Sequence, residues 1–234
     1  ERRRLTNDVA RDRGPSWGPN DEWLFFYSNR LGSYDNFLIR SDGTGLRQLT
    51  GMPVTDVNDV YVSNDGERIA VVVFDQEGSA IVDIDPSWLE ADSSFEPLEL
   101  ETSTGHIIIG GFSPDDRYLV ATTPPSGADF TTGFLEIESN RFRGLTSPFG
   151  DRHNIWWDPA WIDERRLIFW DRELARAFIA DAETGEAHEV PDIPGPSGFE
   201  VADGGRTLYL IRRIEKADIW MLTLTDGKED TNDR

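Results

Sequence analysis

The segment Gly14-Pro15-Ser16-Trp17-Gly18 spells G-x-S-x-G, the pattern that surrounds the nucleophilic serine of many hydrolases. That chemistry needs a sharp turn from a strand into a helix, which exposes the serine hydroxyl. Here the next residues, Pro19-Asn20-Asp21, predict a tight turn between two strands, and no helix is predicted to follow. The sequence therefore places Ser16 in an ordinary strand and predicts no nucleophile.

Carboxylates are abundant, and a pair of them could hydrolyse a glycosidic bond. Three acidic residues lie on or beside strands that would line the centre of a repeat protein: Asp59, Glu200 and Asp158. Turn capping and a solvated acidic surface explain the same residues. A carbohydrate-active enzyme is therefore the competing hypothesis.

Metal-binding residue types occur without metal-binding spacing. Asp56, Asn58 and Asp59 are rich in oxygen but lack the spacing and the bidentate Glu of a calcium loop. His106 and His153 have no local partner ligand. The sequence predicts neither a metal ion nor a cofactor.

These residues are carried by five imperfect copies of one unit: strand, polar turn, strand, loop, strand, turn, strand. The copies align on Trp17, Val62, Phe112, Trp161 and Val201, at spacings of 45, 50, 49 and 40 residues. Repeats of this length and type predict an all-β fold, a β-propeller with five four-stranded blades. The blades cover about residues 15–50, 57–100, 106–146, 154–190 and 198–224 of a single domain.

The fifth copy has no fourth strand of its own. Residues 2–6 match the fourth strand of the first blade, Gly45 to Thr50. We expect residues 1–6 to complete the last blade beside Ile219 to Leu224, which would remove the exposed sheet edges. The alternative is that residues 2–6 end an upstream blade.

The first copy carries Pro15-Ser16-Trp17-Gly18-Pro19-Asn20-Asp21, then Ser28-Asn29-Arg30, then Asp42-Gly43 and Leu49-Thr50. These residues resemble the TolB-like propeller repeat. The resemblance spans the chain but weakens after the first blade. More narrowly, the segments 5–17 and 217–224 look like the C-terminal propellers of bacterial multidomain sensor proteins. The resemblance implies a fold and leaves the function open, because unrelated activities share propellers.

Composition restricts the partners. The chain has 234 residues, no cysteine and a formal net charge of −21, with 44 acidic and 23 basic residues. Such a surface repels nucleic acids and anionic membranes. No apolar run is long enough to cross a bilayer. With no initiator Met, the chain is expected to be a piece of something longer, and a periplasmic or extracellular location is favoured over the cytoplasm.

One group of residues suggests binding. Arginines and aromatic residues fall on the loops that a propeller gathers on one face, and six of them form the predicted site: Arg13, Arg30, Tyr34, Arg152, His153 and Trp157. Such residues are typical of interaction sites, because Arg binds carboxylates in two places and stacks on rings. Ordinary surface ion pairs with Asp12, Asp35 and Asp151 are the alternative.

The predicted function is a non-catalytic binding or scaffolding module. Its partner would be a protein segment or a small acidic ligand. Self-association through one face is a third possibility, beside binding and carbohydrate chemistry.

Overall fold

The computed structural model describes residues 3–51, 57–73, 78–84, 97–98, 105–123, 131–150, 155, 159–193, 195, 198–211 and 220–223. Within these ranges the fold is all-β, with one short 3-10 turn at Pro19–Asp21. The strands are β1 (Asp12–Trp17), β2 (Trp23–Ser28), β3 (Asp35–Arg40), β4 (Arg47–Gln48), β5 (Val57–Val62), β6 (Arg68–Val73), β7 (Gly78–Asp83), β8 (Ile107–Phe112), β9 (Tyr118–Thr122), β10 (Thr132–Glu136), β11 (Arg141–Gly144), β12 (Ala160–Trp161), β13 (Arg166–Asp171), β14 (Arg176–Asp181), β15 (Ala187–Val190), β16 (Gly198–Ala202), β17 (Thr207–Ile211) and β18 (Trp220–Thr223).

Each repeat forms one sheet in which consecutive strands are neighbours. The orders are β1-β2-β3-β4, β5-β6-β7, β11-β10-β9-β8, β12-β13-β14-β15 and β16-β17-β18. Five repeats therefore give five antiparallel sheets. In the described residues the second and fifth sheets have three strands each, and β4 is only two residues long.

Contacts divide the chain into two compact units. The first comprises residues 1–130 and 135–142, and the second comprises 131–134 and 143–234. Each has its own core between successive sheets.

In the first unit, both faces of the middle strands are buried. Trp23 and Phe25 on β2 pack against Ile69 and Val71 on β6. The opposite face of β6, with Ala70, then packs against the third sheet. Burial on both faces explains why these strands are almost continuously apolar rather than alternating.

In the second unit the same arrangement recurs. Ile168 on β13 and Ala177 on β14 pack against Phe199 on β16 and Leu208 on β17. A register of six residue pairs joins β13 to β14, from Arg166 and Asp181 to Asp171 and Arg176.

The Leu-Thr dipeptide at the end of a repeat connects one sheet to the next through a backbone bridge. Leu49 is buried, and Thr50 forms a parallel bridge with Leu98 of the second repeat. In the second unit, Thr146 makes the equivalent parallel bridge with Glu186. The bridge therefore continues hydrogen bonding from one repeat into the next.

The N-terminal residues lie against the first sheet. Residues 3–6 form no strand, and Leu5 packs against Phe26, Phe37 and Ile39. Beside them lies a groove of about 150 Å³. Completion of the last blade by residues 1–6 stays a prediction, and Arg2, Ile219 and Leu224 lie outside the residues whose side chains are described.

Candidate functional site

The first strands of three sheets depart from regular pairing at corresponding positions. The register of β1 against β2 shifts between Arg13 and Ser16, and that of β5 against β6 shifts between Val57 and Val60. On β8 the register against β9 shifts twice between Ile108 and Phe112. Such bulges change the direction of side chains and often occur beside functional sites.

The bulge on β1 brings a residue of the second sheet close to the first. Gly14 has φ of +55°, which favours glycine. A Cβ at Gly14 would lie 2.6 Å from Oδ1 of Asp59 and 2.7 Å from Cε1 of Tyr27. Only a residue without a side chain therefore lets the Asp59 carboxylate approach β1 this closely.

Arg13, Tyr27, Tyr34 and Asp59 form the arginine–tyrosine cluster, the candidate site. The Arg13 guanidinium carbon lies 5.9 Å from the centre of the Tyr34 ring, within cation–π range. The Tyr27 and Tyr34 rings meet edge to face, with centres 5.6 Å apart. Arg13 is exposed, whereas the other three residues are half-buried, so the cluster is open to a ligand on the side of Arg13.

The electrostatics of the cluster keep Tyr27 protonated. Burial raises the pKa of the Tyr27 hydroxyl, and the charge of Asp59 raises it further. The charge of Arg13 and its hydrogen bond to Tyr27 lower the pKa, but less strongly. Tyr27 is therefore a neutral hydroxyl at physiological pH, next to a cation and an anion.

Arg30, a predicted site residue, is held by the protein itself. Its guanidinium reaches Asp12 at 2.8 Å and Asp8 at 3.4 Å. The guanidinium also lies over the rings of Phe26 and Phe37, and its central carbon is 4.9 Å from the centre of the Phe37 ring. The Arg30 side chain is only 12% exposed. The structure therefore shows the ion pairs that were the alternative for this residue.

The pKa of Asp12, the main ion-pair partner of Arg30, depends on the same contacts. Burial alone would raise the pKa of its carboxyl group, but hydrogen bonds from Ser28, Thr6 and Arg30 outweigh burial and lower the pKa. The ionised Asp12 thus ties the start of β1 to the end of β2 and to the N-terminal residues.

Of the six predicted site residues, the structure brings Arg13 and Tyr34 into contact and places Arg30 in an adjacent ion-pair network. The other three, Arg152, His153 and Trp157, lie outside the described residues. Sequence reasoning missed Tyr27 because it is one of several apolar-looking positions on β2. It considered Asp59 only as a catalytic carboxylate or as part of an oxygen-rich cluster.

The remaining residues that the sequence offered for catalysis or metal binding occupy ordinary structural positions wherever the structure describes them. Ser16 lies on β1 and is followed by a single 3-10 turn, so it is not on a strand-to-helix elbow. Glu200 is exposed on β16. His106 stacks on Phe142, with ring centres 4.5 Å apart. Asp56 and Asp158 are outside the described residues.

Neither a metal cluster nor a membrane helix occurs in the part of the chain that the structure describes. No three His, Asp or Glu side chains there are grouped so as to hold a metal ion. No helix there is long and apolar enough to cross a membrane.

Comparison with solved structures identifies the fold. TolB from Acinetobacter baumannii superposes with a TM-score of 0.63 at 16% identity, over 90% of this chain and 51% of that chain. The β-propeller domain of Cps50 (Swd1) from Myceliophteria thermophila superposes with a TM-score of 0.60 at 12% identity, over 91% of this chain and 71% of that one. The fold is a TolB-like β-propeller.

No family model matches the chain. A protein named uncharacterized peptidase YuxL, from Bacillus subtilis, is 28% identical over 189 residues, which are 80% of this chain and 25% of YuxL. The chain thus spans about a quarter of the curated relative and about half of TolB.

Proposed function

We propose that this TolB-like propeller is a non-catalytic binding or scaffolding module that takes a protein segment or a small acidic ligand on its loop face. The observation that supports this most is the contact of Arg13 with Tyr34 at the loop end of the first blade. An exposed cation above an aromatic ring is typical of interaction hot spots. Arg152, His153 and Trp157 are included in the proposed site from the sequence alone.

A pull-down tests the proposal directly. The full chain is immobilised and offered peptides from a synthetic acidic peptide array, and bound peptides are then measured by calorimetry. We expect dissociation constants that rise with salt, because exposed charges are screened. Binding neither to any peptide of the array nor to a small dicarboxylic acid would contradict the proposal.

The second candidate function is carbohydrate hydrolysis with carboxylates on the first strands of the sheets. Asp59 favours it, because this carboxylate lies beside a tyrosine hydroxyl and an arginine. A glycoside screen decides between the two functions. Turnover that Asp59→Asn or Glu200→Gln abolishes would establish the enzyme and overturn the binding-only proposal.

Self-association is the third candidate. Four large apolar residues in or just before the first repeat are exposed: Val9, Trp17, Leu31 and Leu46. Light scattering over a concentration series would show whether copies associate through this blade.

We infer further that the propeller has five blades and that residues 1–6 supply the fourth strand of the last one. The support is that Leu5-Thr6 repeats Leu49-Thr50. The wider setting, a sensor or envelope protein of bacterial origin with a periplasmic or extracellular propeller, is also a proposal. The sequence of the neighbouring coding region would test that setting.

A further inference from the structure

We propose that the arginine–tyrosine cluster of the first two blades is by itself a recognition site for a side-chain or chain-terminal carboxylate of a peptide, with Arg13 as the anion-binding group and Asp59 as its positioning residue. This deepens the proposed function and rests on it. It differs from the predicted site, because it includes Tyr27 and Asp59 and does not use Arg30, which is paired with Asp8 and Asp12.

The first step is the availability of Arg13. A guanidinium has five N–H donors in one plane, more than the Tyr27 hydroxyl can accept. Arg13 is exposed, and the Tyr34 ring supports one face of its guanidinium. A carboxylate can therefore meet the outer edge of the guanidinium in two-point contact, which is the geometry that Arg binds best.

The second step is the role of Asp59. Its Oδ1 lies over Gly14, next to the backbone of Arg13, because the bulges on β1 and β5 face each other there. The charges of Asp59 and Arg13 both act on the Tyr27 hydroxyl, so the negative charge of Asp59 attracts the guanidinium toward the second blade and limits how much negative charge the site accepts. A singly charged carboxylate is tolerated, whereas a doubly charged phosphate would meet stronger repulsion.

The third step is the charge of the surroundings. Residues 1–51 contain eight basic and seven acidic residues, whereas residues 52–234 contain 15 basic and 37 acidic ones. An acidic peptide is therefore repelled by most of the chain and least by the first blade. The aromatic edges of Tyr27 and Tyr34 add a surface on which an apolar neighbour of the acidic residue can pack.

The experiment compares pairs of peptides on the full chain. Each acidic peptide that binds is paired with its Glu→Gln counterpart and with a phosphoserine counterpart, and dissociation constants are measured by calorimetry. For the unaltered chain we expect the Glu peptide to bind about tenfold more tightly than the Gln peptide, which corresponds to about 1.4 kcal/mol. We expect the phosphoserine peptide to bind no more tightly than the Glu peptide.

Three variants assign that selectivity. Arg13→Gln should reduce the Glu/Gln ratio to about one, whereas Arg11→Gln, an equal loss of charge on a neighbouring exposed residue, should leave it near tenfold. Asp59→Asn should lower the Glu/Gln ratio below tenfold, because the Arg13 guanidinium loses its positioning charge, and it should make the phosphoserine peptide the tighter ligand.

The outcomes separate this inference from the proposed function. If peptides bind but Arg13→Gln keeps the tenfold ratio, or Arg11→Gln abolishes it as well, the site is elsewhere and only this inference fails. If phosphoserine peptides bind more tightly than Glu peptides to the unaltered chain, the carboxylate assignment is wrong. If no peptide binds but a small dicarboxylic acid does, this inference fails and the proposed function stands. If neither binds, both fail. Melting curves of each variant confirm that the fold is retained.

Discussion

Gly14 is the residue at which one added carbon would disturb the candidate site most. It combines φ of +55° with the close approach of Asp59 and Tyr27. Gly204 is a matched control, because its φ is +63° and nothing lies within 4 Å of the position of its missing Cβ.

The glycine pair gives the first prediction. We expect Gly204→Ala to lower the free energy of unfolding by about 1–2 kcal/mol, the cost of the left-handed backbone. Gly14→Ala should lower it by about 1–3 kcal/mol more, the usual cost of overpacking. Denaturant titrations measure both. Equal losses would show that Asp59 does not lie over Gly14.

His106 provides a pH prediction. Burial lowers the pKa of its imidazole from the ordinary 6.5. Its neutral ring stacks on Phe142, so the unfolded chain takes up the proton more readily than the folded one. The stability that follows from this difference is present above pH 6.5 and is lost as the pH falls below it.

Denaturant titrations at pH 7.5 and pH 5.5 test this sign. The unaltered chain should be less stable at pH 5.5, and His106→Gln should lose part of that pH dependence. His188→Gln, at an exposed position on β15, serves as the control. Aspartates whose pKa is lowered below 3.8, such as Asp163, titrate outside this pH window. An unchanged pH dependence in His106→Gln would contradict the prediction.

At the scale of elements, a side chain in one turn accepts hydrogen bonds from the backbone of another turn. The Asp116 carboxylate, in the β8–β9 turn, accepts hydrogen bonds from the backbone amides of Asn64 and Asp65 at 2.7 and 3.0 Å. The Asn64 side chain donates to the same carboxylate and to the Ser113 carbonyl. A single aspartate therefore connects the turns of the second and third sheets.

We expect Asp116→Ala to lower the free energy of unfolding by about 0.5–1.5 kcal/mol, because it removes the hydrogen bonds to another turn, whose exposed donors then bind water. Asp42→Ala is the control, since Asp42 bonds only to Thr44 of its own turn among the contacts described. Its loss should be smaller. Similar losses in thermal melts of the two variants would mean that the connection between turns adds nothing.

Arg30 allows a second comparison between elements. Arg30→Met keeps the apolar contact with Phe26 and Phe37 but removes the bonds to Asp12, so we expect a loss of about 1–2 kcal/mol. Arg68→Met breaks the exposed pair with Asp83 and should lose about 0–1 kcal/mol. The two values come from urea titrations, and a larger loss at Arg68 would contradict the ion-pair network.

For the whole molecule, the N-terminal residues are the part whose removal should matter most. Leu5 covers Phe26, Phe37 and Ile39, and the prediction that residues 1–6 complete the last blade adds lost strand pairing. Deleting residues 1–6 should therefore lower the melting temperature by several degrees. Removal of the polar residues 229–234 is the length-matched control. An unchanged melting temperature after the first deletion would rule out closure by these residues.

The sequence by itself determined the five repeats, the all-β class and the turns. Period, turn residues and apolar runs are local signals, and Pro19-Asn20-Asp21 or Ser63-Asn64-Asp65-Gly66 reverses the chain whatever lies nearby. It also selected Arg13 and Tyr34 as neighbours at one end of the first repeat, although Arg13 lies on β1 and not on the predicted loop.

Only the tertiary structure decided what these side chains contact. Arg13 and Arg30 look alike in the sequence, yet one is exposed over a tyrosine ring and the other is enclosed by two aspartates and two phenylalanine rings. The bulges on β1 and β5, which place Asp59 over Gly14, depend on pairing between separate strands. The ion pair with Asp12 and the approach of Asp59 to Gly14 join residues 18 and 45 positions apart, and no local preference of the chain encodes their distance.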